Sequence, residues 1–164
     1  MKKSPEERIK HLFAQLPYPP IDVIIPILEK AGHGEKELES QIYEIYCHLA
    51  KGIEEIMNLK GSDMKTLARV WEVAISSSEG MRMQPLELSE SKFSFSITDC
   101  PMIHVGKNVS TDVKSKFCDI VCTAGSRALI DTVLAPHKGT CAWSKTLIKG
   151  IGKCTVTFER VKAK

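Results

Sequence analysis

The stretch Val113 to Leu134, VKSKFCDIVCTAGSRALIDTVL, reads as one helix of about six turns. Val113, Phe117, Ile120, Val121, Ala124, Ala128 and Val133 recur at helical spacing and give it an apolar stripe. Cys118 and Cys122 lie four apart, so their thiols share one face. Gly125 follows about one turn on, where a missing side chain lets a ligand or another backbone approach. Ser110, Thr111 or Asp112 is placed to cap the start, and Pro136 closes the far end.

Working outward, both flanks switch to the period of strands. Upstream, Met81 to Leu88 and Lys92 to Thr98 alternate, the second cleanly, with Phe93, Phe95 and Ile97 against Ser94, Ser96 and Thr98. Ser89-Glu90-Ser91 is the turn between them. Downstream, Thr140 to Ile148 and Cys154 to Val161 form a second pair joined through Gly150-Ile151-Gly152. The first half is helical. Ser4-Pro5-Glu6-Glu7 starts one helix, Asp22 to Lys30 forms a second, and Glu35 to Leu59 a long third that Gly61 terminates. Ser62-Asp63 caps a fourth, which buries Leu67, Val70, Trp71 and Ala74. Segregated blocks of this kind predict an α+β fold: N-terminal helices over 1–79, then an antiparallel ββαββ unit over 80–164 with the long helix packed on the sheet. The two regions are expected to form one compact domain.

Composition narrows the function classes. Apolar residues make up 43% and charged residues 26% of the chain, ordinary values for a globular protein, and the formal net charge is only +3. Lysines and arginines are scattered, so no nucleic-acid partner is expected. The longest apolar run, Val23 to Leu28, is too short to span a bilayer, and no apolar leader follows Met1-Lys2-Lys3, so no membrane partner is expected and the cytoplasm is the expected compartment. There, six cysteines read as thiols or metal ligands rather than disulfides.

Three constellations carry chemistry. Cys100, Cys118, Cys122, Cys141 and Cys154 form a candidate metal set, suited to zinc or, less readily, an iron–sulfur cluster; Cys118, Cys122 and Cys154 are expected to converge. Against this stands the plain reading of buried thiols as small apolar fillers. Cys100 and His104, close in sequence, make a candidate nucleophile and base, though no third orienting group is evident. Trp71, Phe93, Phe95, Phe117 and Leu129 fall on faces that point toward one another and would line a pocket between helices and sheet.

Val121-Cys122-Thr123-Ala124-Gly125, followed by Lys149-Gly150-Ile151-Gly152-Lys153-Cys154-Thr155-Val156-Thr157-Phe158, resembles the small-molecule-binding domain of the 4-vinyl reductase family. It is also similar to L-2-amino-thiazoline-4-carboxylic acid hydrolase-like proteins, through Cys100-Pro101, the Cys118/Cys122 pair and the segment Gly150 to Phe158. The resemblance covers the chain from Gly80 on. It implies a ligand-binding α+β fold, often a homodimer, with a pocket for a small apolar or aromatic molecule. In zinc-bearing members a helix Cys, a Glu-x2-Cys and a final Cys hold the metal; the middle pair would fall on Trp143 and Thr146, so that set is incomplete here. Three readings stay open: a small-molecule-binding module with a cysteine-lined site, a hydrolase of a small cyclic substrate, and a purely structural protein.

Overall fold

The computed structural model describes residues 3–5, 7–9, 11, 34–77, 81–100, 103, 110–144, 147 and 150–161, and elements are numbered over these. Helices α1 (Gly34–Met57) and α2 (Met64–Ser77) lead into β1 (Arg82–Leu88) and β2 (Lys92–Asp99). Helix α3 (Thr111–Val133) follows, then β3 (Gly139–Trp143) and β4 (Cys154–Arg160). This is the expected α+β architecture, with a four-stranded antiparallel sheet and the long helix packed on it. The expected helix over 22–30 lies outside the described residues. At the start of the chain, Glu7 N donates to Ser4 Oγ at 3.2 Å and Ser4 N donates to Glu7 Oε2 at 2.8 Å, a reciprocal cap.

Local chemistry sets the element ends. Helix α1 closes at Asn58 rather than at the expected Gly61. Asn58 takes a φ of +53°, while Leu59 N donates to Glu54 O at 2.9 Å and Asn58 N to Glu55 O at 3.3 Å. That is a Schellman ending, with asparagine in the left-handed position that its short polar side chain tolerates. Helix α2 begins on Asp63, whose Oδ1 accepts from Thr66 N at 2.7 Å; this bond holds the carboxyl below its ordinary range. Ser110 caps α3, its Oγ accepting from Val113 N at 3.4 Å, and the helix runs through Gly125 unbroken.

The strands order as β1-β2-β4-β3, so the second hairpin joins the first through its last strand. Phe93 sits opposite Phe158, and Phe95 opposite Val156. Strand β3 is shorter than its expected span of 140–148. Its ladder ends where Ser144 N donates to Thr155 O at 2.9 Å, and Leu147 N then donates to the Cys154 thiol at 3.3 Å, satisfying a buried amide outside the sheet.

One face of the sheet carries Phe93, Phe95, Ile97, Cys154, Val156 and Phe158, all buried beneath α2 and α3. Trp71 of α2 is the hub: its ring centroid lies 5.5 Å from Phe95, 5.5 Å from Phe158 and 6.0 Å from Trp143. Each such ring buried stabilises by roughly 1.5–3 kcal/mol. Leu49, Ile53 and Leu67 share this core with Leu129, Val133 and Phe158, so it draws on both halves of the chain. A smaller cluster of Leu38, Ile42, Phe117 and Ala124 sits between α1 and α3.

Candidate functional site

Among the described residues, a space that a ligand can enter lies between α3 and the edge strand β3. Gly139 brings the strand hard against the helix: a Cβ there would meet Ile130 Cγ2 and Leu134 Cδ1 at 3.1 Å. Four residues on, Trp143 leans back across the gap, its Nε1 donating to Ser126 Oγ at 2.8 Å. Between these two contacts is a cleft of about 370 Å³. Ile130 and Trp143 supply apolar walls, while Thr123, Ser126, Arg127, Thr140 and Cys141 supply polar groups. Burial pushes the Cys141 thiol up to about 11, and hydrogen bonding from Ser126 and Trp143 draws it only partly back. The thiol is therefore protonated near neutrality.

Arg127 is held at the rim. Its guanidinium lies 3.1 Å from Glu39 Oε1 and 4.9 Å from the centre of the Tyr43 ring. Tyr43 in turn donates to Asp131 Oδ2 at 2.9 Å. Burial, then the Asp131 carboxylate beside it, push the Tyr43 hydroxyl up to about 12.

The remaining thiols sit elsewhere. Cys118 Sγ and Cys122 Sγ are 3.4 Å apart on α3. The Cys122 thiol is raised well above its ordinary range, first by its bond to Cys118, then by burial and by the neighbouring Cys118, Cys100 and Cys154 thiols. These four therefore share one neighbourhood, with Cys118 and Cys122 in sulfur–sulfur contact. Among the described residues, no group of three or more His, Cys, Asp or Glu is arranged to hold a metal. The expected five-thiol set is therefore not gathered into one such group among the described residues. Cys141 belongs to the cleft, bonded to Ser126 and Trp143, and Cys154 accepts the Leu147 amide. Positions 143 and 146, where a carboxylate and a thiolate would be needed, are Trp143 and Thr146.

The five residues expected to line a pocket do not line this cleft. Trp71, Phe93 and Phe95 interlock in the main core, with Phe93 and Phe95 centroids 5.2 Å apart, and Leu129 is fully buried in the same cluster. Phe117 lies in the separate α1–α3 cluster. Cys100, half-buried, packs where the two clusters meet, and His104 lies outside the described residues. Among the described residues, buried Trp71 Nε1 and Ser96 Oγ have no hydrogen-bond partner, and neither is on the cleft. Sequence reasoning missed Ser126, Ile130, Gly139 and Trp143 as site residues. The available signal was an indole on a short strand two residues from a thiol, facing a helix serine.

No family model matches the chain, and no curated protein matches it. Among solved structures, the fold is similar to trafficking protein particle complex subunit 3 from Naegleria fowleri, solved covalently bound to palmitic acid. The TM-score is 0.58 at 15% sequence identity, covering 96% of this chain and 93% of that one. The likeness is one of fold. It overturns the expected resemblance to the 4-vinyl reductase and thiazoline-carboxylate hydrolase-like families, since the structure superposes over nearly its whole length on a different kind of protein. The short cysteine and glycine motifs that suggested those families are explained locally: Cys154 receives an amide, and Gly150, with a φ of +76°, makes a turn. No described helix is long and apolar enough to cross a membrane.

Proposed function

We propose that the chain is a binding module that takes a small, partly aromatic molecule in the α3–β3 cleft and works as a subunit of an assembly. The observation that carries this is the cleft, whose volume of about 370 Å³ lies in the range of small-ligand sites. Trp143 and Ile130 offer a flat apolar contact, and Thr123, Thr140 and the Cys141 thiol offer hydrogen bonds that fix orientation. The hydrolase reading rested on Cys100 and His104; Cys100 does not line the cleft, and His104 lies outside the described residues. Assembly is suggested by the solved neighbour, which is a subunit of a multi-subunit particle.

The palmitic acid of that neighbour frames the test. A covalently carried acyl chain would need a thiol on the cleft, and Cys141 is placed there, but its raised pKa weighs against attack on an acyl donor. Titration with indole, benzoate and palmitate, followed by calorimetry, distinguishes the two ligand classes. Saturable binding of the aromatic probes, lost in the cleft-filling Thr123→Trp, is the expected result. Binding that persists in Thr123→Trp would sink the proposal.

A further inference from the structure

The two edges of the sheet are built differently. Strand β1 is guarded: it contains Pro85, shifts register between Arg82 and Met83 and again between Pro85 and Glu87, and carries Arg82 and Glu87. Bulges, proline and charge are the devices by which edges avoid pairing with other strands. Strand β3, at the opposite edge, has none of them. Gly139-Thr140-Cys141-Ala142-Trp143 is uncharged, holds its register with β4 throughout, and has no outer neighbour among the described residues.

The direction of its backbone groups follows from the ladder. Val161 N donates to Lys138 O at 2.8 Å and Ser144 N to Thr155 O at 2.9 Å, so Lys138, Thr140, Ala142 and Ser144 turn toward β4. Alternation then aims the amides and carbonyls of Gly139, Cys141 and Trp143 outward.

We infer that β3 is a homotypic docking edge: two copies of the chain pair antiparallel through Gly139–Trp143 about a two-fold axis at Cys141. The segment is complementary to itself in this register. Gly139 falls opposite Trp143 of the second copy and Cys141 opposite its own equivalent, and no charged residue lies within the paired segment. Lys138 falls opposite Ser144, so no like charges meet. An isologous contact of this kind closes as a dimer and leaves the guarded β1 edges at the two ends of the joined sheet. The inference stands on the edge geometry and does not depend on a ligand in the cleft.

Amide hydrogen exchange of the full chain, read residue by residue at dilute and concentrated protein, tests it. Thr140 and Ala142, bonded to β4, should be protected at both concentrations. Gly139, Cys141 and Trp143 should exchange fast when dilute and slow by about tenfold or more when concentrated. Cys141→Lys places two like charges face to face at the two-fold; it should sediment as a monomer where the parent sediments as a dimer, with Thr140 and Ala142 still protected as proof of folding. A monomer at every concentration overturns the inference. So does a dimer in which the Gly139, Cys141 and Trp143 amides stay unprotected, or a Cys141→Lys dimer.

Discussion

Against α1, helix α3 packs closely around Gly125, whereas against β3 a cleft lies between the contacts made at Gly139, Cys141 and Trp143. On the α1 flank the approach is set by Gly125: a Cβ there would stand 3.0 Å from the Tyr46 ring. Nearby, the Cys47 thiol donates to Ala128 O at 3.9 Å, and Leu38, Ile42, Phe117 and Ala124 fill the space beyond. On the β3 flank Thr123, Ser126 and Ile130 of the helix and Thr140, Cys141 and Trp143 of the strand line the cleft. The same helix thus makes a packed seam on one side and a cleft on the other. Both glycines mark close approaches, Gly125 to the Tyr46 ring and Gly139 to Ile130 and Leu134, and the cleft lies along the strand between Gly139 and Trp143.

The comparison breaks most readily at Leu129, which is fully buried in the core that both flanks share. Leu129→Ala should cost about 2–5 kcal/mol, measured by denaturant unfolding. A cost below 1 kcal/mol would mean that α3 is not anchored there. Gly125→Val tests the packed flank. Forcing a branched side chain into the Tyr46 ring should cost about 1–3 kcal/mol, while the same measurement on Thr123→Val, on the open flank, should fall within about 0.5 kcal/mol of the parent. Equal costs at the two positions would erase the distinction between flanks. Trp143→Phe keeps the ring but removes the donor to buried Ser126, and a loss of about 1 kcal/mol is expected from thermal unfolding.

The titration of Cys141 tests the open flank directly. Its folded pKa is raised from 9.0 to about 11, so the folded state holds the proton that the unfolded chain releases first. This contribution to stability is complete below the unfolded value and is lost as pH rises toward about 11. Alkylation of Cys141, followed by peptide mass, should accelerate over the same window. In Ser126→Ala, which lacks a bond that lowers this pKa, the profile should move to higher pH. A profile centred near 9 in the parent would show the thiol to be solvated and the cleft wider than drawn.

Much of the fold was legible because periodicity records which face is buried. The alternation of Phe93, Phe95 and Ile97 placed β2, and the stripe from Val113 to Val133 placed α3 within two residues of its observed start. Strand β3 was overextended because Leu147 is buried and reads as strand, although its amide is satisfied by a thiol outside the ladder. The site was far less legible. Large apolar residues mark where a chain excludes everything, so Trp71, Phe93 and Phe95 pointed to the core. The cleft is lined by small or polar side chains such as Thr123, Ser126, Thr140 and Cys141, and these leave no periodic signature. The thiols misled for a related reason: cysteine spacing looks alike whether sulfur holds a metal, an amide as at Cys154, or another thiol as at Cys118.

Because β4 lies between β2 and β3, the centre of the sheet waits for the last strand to be made. Phe95 meets Val156 across a loop of about sixty residues, and until it does, β1 and β2 form only an isolated hairpin. During synthesis the aromatic face of β2 is therefore left without its partner strand while α3 and β3 emerge. The folding rate should be governed by this single long-range closure, and substitutions at Val156 or Phe158 should slow folding more than equally costly ones in α1.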